Sequence, residues 1–235
     1  MKFSHSPLLL LATLVASTAA SPLVLDYPDS TIASLKKLQI ASQAEAQAAG
    51  TTANEFLESG CRDVIFIFAR GSTQEGNVGG DPGPQTIDLL KAALGANRVA
   101  AQGVEYPALL IDNLRSGGCD PEDAASMRTL IGNIATACPS ARLVVSGYSQ
   151  GAALVHRAVE SASASVRARI AAAVTFGDTQ RAQDGGRIPN FDPSRTLIIC
   201  RSGDLLCQGT LLVTDAHYTY SELAPDAVAF IVSKV

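Results

Sequence analysis

From Cys61 onward the chain alternates short apolar runs with longer amphipathic ones. Val64 to Ala69 (VIFIFA), Arg98 to Val104, Leu143 to Ser146, Ile170 to Phe176 and Thr196 to Cys200 (TLIIC) are near-continuous apolar stretches, the pattern of strands buried on both faces. Between them the period lengthens to that of a helix. Asp120, Pro121 and Asp123 supply an N-cap, a first-turn proline and an acidic first turn, and Met127, Leu130, Ile131 and Ile134 then share one face. The pattern predicts further helices over Thr86 to Leu94 after Pro84, over Gln150 to Glu160 directly after a strand, and over Pro225 to Lys234. Such alternation implies a mostly parallel five-stranded sheet with helices on both faces, a three-layer α/β sandwich. No helical insertion interrupts it, so no large lid is expected.

The first 57 residues have a different texture. Met1 to Ala20 carries one early base, Lys2, an apolar run from Leu8 to Val15, and small residues at Thr18, Ala19 and Ala20, which is the grammar of a cleaved secretory signal. Residues 21–57 are dominated by Ala, Gln, Ser and Glu from Ile40 to Ala53, with only Ile32, Leu35 and Leu38 at helical spacing. They read either as a pro-segment or tethering arm, or as an extra surface helix. The domain that does the chemistry is expected over residues 58–235.

Composition narrows the function classes. The net charge is −4 and becomes −5 once Lys2 leaves with the signal, an acidic balance that argues against a phosphate-neutralising nucleic-acid surface. After the signal no apolar stretch reaches the roughly 18 residues a membrane span needs. The expectation is a soluble, exported monomer with no transmembrane segment. All five cysteines lie in the exported part, where an oxidising compartment favours bridges. Cys61 and Cys138 each precede a central strand at the same sheet edge and can approach one another, while Cys200 and Cys207 close a small loop. Cys119 is then left over, with exchange against Cys138 still open.

The strongest chemical signal is Gly147-Tyr148-Ser149-Gln150-Gly151, placed between a strand and a helix. A sharp strand-to-helix turn leaves no room for side chains two residues before and after the serine, and it lifts the hydroxyl above the sheet edge. A serine nucleophile needs a base. Only two histidines remain after the signal. His156 follows Ser149 by seven residues on the same helix, about 10 Å away, and is read as an ordinary helix-face residue. His217, in the loop before the last helix, is the candidate base. For the acid, Asp178, Asp184, Asp192, Asp204 and Asp215 all lie between serine and histidine. Asp204 is preferred because its loop would be closed by Cys200 and Cys207, with Asp178 second. The N–H of Gln150, after the nucleophile, and Ser72, after the first strand, are the candidate oxyanion donors. Two histidines and no cysteine cluster with ligand spacing argue against a metal site, and no cofactor is expected.

Taken together, Cys61 to Phe66, Ala69-Arg70-Gly71-Ser72-Thr73, Gly147 to Ala153, Gly186-Arg187-Ile188-Pro189-Asn190, the Cys200 to Cys207 loop enclosing Gly203-Asp204, and the Ala216-His217 step resemble the cutinase family of serine esterases over about 170 residues. The resemblance implies an α/β-hydrolase domain, Ser149, Asp204 and His217 as triad, Ser72 and Gln150 as oxyanion hole, and bridges Cys61 to Cys138 and Cys200 to Cys207. It also implies an apolar rim that receives acyl chains, formed by Tyr106 to Ile111 and Leu211 to Val213, with substrate contacts at Leu110, Asn113, Tyr148, Leu211, Leu212 and Val213. Asn113 aligns with an asparagine that steadies the oxyanion serine. Three features depart from the family pattern. Val104-Glu105-Tyr106-Pro107 stands where many fungal members have Gly-Gly-Xaa-Tyr, Phe176-Gly177-Asp178 replaces Phe-Gly-Tyr, and Cys119 is additional.

The function so implied is hydrolysis of ester bonds in cutin and in short- to medium-chain acyl esters through an acyl-enzyme. One alternative is an acetylxylan-type esterase, which the same framework supports but the apolar Leu211-Leu212-Val213 rim does not favour. The other is a secreted surface-binding protein that has lost its chemistry.

Overall fold

The computed structural model describes residues 50–235. The expected signal (1–20) and the segment 21–49 lie outside the described residues. In chain order the regular elements are α1 (Glu55–Ser59), β1 (Val64–Ala69), α2 (Gly83–Leu94), β2 (Val99–Gly103), α3 (Pro121–Ala137), β3 (Arg142–Tyr148), α4 (Gln150–Glu160), α5 (Ala164–Arg169), β4 (Ile170–Phe176), β5 (Thr196–Ile199) and α6 (Ala224–Val232). The strands form one sheet in the order β2-β1-β3-β4-β5, and every neighbouring pair is parallel. This is the three-layer sandwich expected, with "mostly parallel" sharpened to wholly parallel.

The apolar runs explain the layers. Along β1, Ile65, Ile67 and Ala69 share a buried cluster with Met127, Ile131 and Ile134 of α3 and Leu154 and Val155 of α4. The alternate residues Phe66 and Phe68 join Leu89 and Leu90 of α2 and Val228 and Phe230 of α6. Period two along the strand thus feeds two helix layers. The start of α3 is built as its sequence specifies: the Asp120 side chain accepts a hydrogen bond from the Glu122 N–H (2.8 Å), and Pro121 occupies the first turn. Among the described residues no helix is long and apolar enough to cross a membrane.

Helix α2 starts three residues earlier than the sequence reading, and β2, β5 and α6 end one or two residues sooner; other departures are larger in consequence. Strand β3 continues two residues past its apolar run, to Tyr148, so the nucleophile candidate follows the strand directly. Helix α5 has no strong apolar period and was not foreseen; it starts at the Ser163 cap, whose hydroxyl accepts from the Val166 N–H. Residues 51–57, grouped in the expectation with the N-terminal arm, pack against the sheet edge: Asn54 bridges antiparallel to Gln102, and Glu55 pairs with Lys91 of α2.

Cys61 is bonded to Cys138 and Cys200 to Cys207. Cys119 is a buried free thiol, and burial pushes it up to about 12, which leaves almost no thiolate and little reactivity. The strand order reverses between β1 and β3, so the loops following these two strands diverge at the carboxyl edge of the sheet, the edge where open α/β sheets bind ligands.

Candidate active site

Ser149 sits at that edge, between β3 and α4, with φ 56° and ψ −118°. A non-glycine residue in this region is strained and persists only where its surroundings over-determine it. The two flanking glycines show why. A Cβ on Gly147 would lie 2.2 Å from the Gly151 carbonyl oxygen, and one on Gly151 would lie 2.0 Å from that of Ala69. Any side chain at either position would force the turn open.

The structure brings Ser149, His217 and Asp204 into one hydrogen-bonded row. Ser149 Oγ lies 3.0 Å from His217 Nε2, and His217 Nδ1 lies 2.8 Å from Asp204 Oδ2. An ionised carboxylate only accepts, so Nδ1 carries the proton and Nε2 is free to accept from the serine. His217 is held in the 3₁₀ turn Asp215–Tyr218, and Asp204 is fully buried in the loop that Cys200 and Cys207 close. The Asp204 carboxylate also accepts from the Tyr220 hydroxyl (2.6 Å) and the Leu206 N–H (3.1 Å). Tyr220 itself accepts from the Arg201 N–H. Sequence reasoning did not single out Tyr220; its only signal was its position three residues after His217.

Tyr148, expected among the substrate contacts, has a different place. Its ring is buried and stacks on the His217 imidazole with centroids 5.0 Å apart, and its hydroxyl donates to the His217 carbonyl (2.6 Å). It therefore supports the imidazole from below. Ser72 follows β1, and its Oγ accepts from Asn113 Nδ2 (2.8 Å), which leaves the Ser72 hydroxyl proton free to point elsewhere. The Gln150 side chain is buried and donates to the Leu109 carbonyl, which leaves its backbone N–H as the candidate oxyanion donor.

Around these groups the surface is apolar. Leu110 is 66% and Leu212 63% exposed, and Leu109, Ile111, Leu114, Leu211, Val213 and Tyr218 are likewise exposed. Isolated exposed leucines are ordinary, but eight large apolar side chains on two short segments, 109–114 and 211–218, are more than scattered exposure. Among the described residues no group of three His, Cys, Asp or Glu side chains is arranged to hold a metal.

His156 is not the plain helix-face residue expected. It is fully buried, with Nε2 2.9 Å from Asp178 and Nδ1 2.6 Å from Asp184, and Arg157 pairs with the same Asp184. Asp178, second choice for the acid, thus belongs to the other histidine; it also accepts from Thr175 Oγ1 and the Gln180 N–H. Burial by itself would lower the His156 pKa, but the Asp178 charge and the hydrogen bonds to both aspartates raise it from 6.5 to about 9. Burial opposes ionisation of Asp178 too, and the His156 charge still brings it below the usual carboxylate value.

A folded-state pKa raised above the unfolded one stabilises fully below pH 6.5 and is lost as the pH rises through about 9. The Asp178 contribution is present above its unfolded value and is lost only in acid. Stability is therefore expected to fall on the alkaline side by on the order of 3 kcal/mol. Denaturant melts at neutral pH and near pH 10 measure this, and His156→Gln should flatten the difference.

Residues 60–235 match the family model described as Cutinase. Cutinase CUT2 of Pyricularia oryzae is 62% identical over 189 residues, spanning 80% of this chain and 88% of that protein. The structure of Trichoderma reesei cutinase in complex with a C11Y4 phosphonate inhibitor superposes with a TM-score of 0.72 at 36% identity, covering 89% of this chain and 92% of the other. An acetylxylan esterase structure has a TM-score of 0.59 at 21% identity and covers 74% and 99% of the two chains, a likeness of fold.

Proposed function

Since the chain belongs to the cutinase family and is a carboxylic ester hydrolase, we propose that Ser149 is its nucleophile, His217 the base, Asp204 the acid that orients the imidazole, and Ser72 with the Gln150 N–H the oxyanion hole. The observation that carries this reading is the unbroken row Ser149, His217, Asp204, which runs from the half-buried serine to the buried aspartate, with exposed leucines on the two segments 109–114 and 211–213.

His217 Nε2 takes the Ser149 proton as Oγ bonds to the ester carbonyl carbon. The carbonyl oxygen becomes an alkoxide that accepts hydrogen bonds from the Gln150 N–H, the Ser72 N–H and the Ser72 hydroxyl, whose oxygen Asn113 holds from behind. Each such donor supplies about 3 kcal/mol to the transition state. The carbonyl re-forms, the alcohol leaves with the proton from the imidazolium, and the acyl group stays on Ser149. Water activated by His217 then releases the acid. Asp204 stays ionised and stabilises the imidazolium throughout.

The proposed substrates are cutin and short- to medium-chain acyl esters, with the acyl chain lying between Leu110 on one side and Leu211, Leu212 and Val213 on the other. The chain is proposed to be exported, with residues 1–20 as signal; both disulfides suit an oxidising compartment. If the rim takes the acyl chain, each methylene buried contributes about 0.8 kcal/mol, so a butyrate ester should be cleaved about tenfold more efficiently than the acetate. Purified cutin and acetylated xylan, assayed beside this ester series, test the reading. Release of acetate from xylan without activity on butyrate or longer esters would favour the acetylxylan alternative.

A further inference from the structure

The loop that carries Ser72 is tied to the stretch of chain ahead of the first strand. The Thr51 carbonyl accepts from the N–H groups of both Asn77 (3.0 Å) and Val78 (2.9 Å). The Ala53 N–H donates to Asn77 Oδ1 (2.8 Å), and Asn77 Nδ2 donates to Asn54 Oδ1 (2.8 Å) and to Glu105 Oε1 (2.6 Å). Asn77 is fully buried, so these bonds form where an unmade one is expensive. The approach is also sterically built in. A Cβ on Gly76 would lie 2.0 Å from the Thr51 carbonyl oxygen, and one on Gly103 would lie 2.0 Å from Asn77 Oδ1.

Between Asn77 and Ser72 the loop is equally constrained. Gln74 accepts from the Gly71 N–H on its side chain and from Arg70 Nε on its carbonyl, while its amide donates to the Asp81 carbonyl. Thr73, next to Ser72, has φ 63°, and its N–H bonds the carbonyl of Ala108, which has φ 52°. Two strained non-glycine residues bonded to each other beside the site need fixed surroundings to persist. On the far side of the loop those surroundings are residues 51–54.

We propose that residues 51–54 are a positioning strap for the loop bearing Ser72 and belong to the catalytic unit, so that any cleavage of the N-terminal segment must fall at or before the bond preceding Thr51. The inference rests on Ser72 serving the oxyanion. The strap touches no reacting atom; it acts by holding the Ser72 donors where the developing charge appears.

The test uses the full chain carrying Asn54→Ala, Asn77→Ala or Ser72→Ala. Titration with an alkyl phosphonate counts reactive molecules, so that kcat is expressed per functional site. Asn54→Ala and Asn77→Ala should lower kcat about tenfold, within the hundredfold that a 1 Å misplacement can cost, with KM little changed. Binding of a trifluoromethyl ketone, whose hemiketal oxygen would take the oxyanion position, should weaken by the same factor. A fall in melting temperature with kcat per site and ketone binding unchanged would overturn the strap. If Asn77→Ala does not fold, Asn54→Ala decides by the same criterion. Ser72→Ala separates the premise: its own loss should be about 10²–10³, and an unchanged kcat there overturns the oxyanion reading rather than the tie between loop and strap. N-terminal sequencing of the protein recovered from culture medium tests the cleavage limit, and a mature chain starting at Thr52 or later would refute it.

Discussion

Ser149→Ala should lower kcat on a soluble butyrate ester by about 10⁶, His217→Ala by nearly as much, and the double variant by no more than either alone. The reason is that the 3.0 Å contact between Ser149 Oγ and His217 Nε2 makes the pair one device. Without the imidazole the hydroxyl keeps its proton and is a poor nucleophile. Without the hydroxyl there is no proton to take. Activity left in these variants would come from the Ser72 and Gln150 donors and from binding. KM should change little, because the ester and the rim still meet. Single-turnover kinetics with circular dichroism as a folding control measure all three variants, and full hydrolysis by Ser149→Ala would exclude it as the nucleophile.

The second large effect separates two buried histidine and aspartate pairs with nearly the same local chemistry. Asp204→Asn should cost about 10⁴ in kcat. Asparagine can present its amide N–H₂ to Nδ1, and the ring then moves its proton to Nε2, where it no longer accepts from Ser149. The Leu206 N–H donates to Oδ1 and favours keeping the asparagine oxygen there, which turns the amide to the histidine; the Tyr220 hydroxyl, which shares Oδ2 with the imidazole, then loses its acceptor. Asp178→Asn makes the same change beside His156 but should cost stability instead, about 3–5 kcal/mol, as when one partner of a buried ion pair is removed, with kcat reduced less than tenfold. Ester hydrolysis and chemical denaturation on both variants measure the contrast. Equal losses of kcat in the two would sink the assignment of Asp204.

Much of the fold was legible because apolar runs and helical periods are local signals. VIFIFA at 64–69 is a strand buried on both faces, and the Asp120-Pro121 start of α3 is capped as its residue types require. The serine turn was legible for a similar reason: Gly147 and Gly151 are demanded by contacts within the turn and with the neighbouring strand end. The arm and domain boundary was less so. Residues 51–57 carry no apolar period, and what holds them are hydrogen bonds to Asn77 and Gly103 and the ion pair of Glu55 with Lys91, all 24 or more positions away.

The sequence alone determined which residue types were available: one serine in a glycine-flanked turn, two histidines beyond the expected signal, and five aspartates in the right order. Which aspartate meets which histidine was decided only by tertiary structure. Seven residues of helix carry His156 away from Ser149 and into the core, where Asp178 and Asp184 receive it. A disulfide-closed loop and a 3₁₀ turn bring Asp204 and His217 together across 13 residues. The same holds for Tyr148, whose ring joins the buried cluster with α2 and α6 because β3 continues to its end, placing it against the imidazole. Periodicity follows from the backbone and is written locally, whereas pairing depends on where distant segments of the sheet edge come to lie.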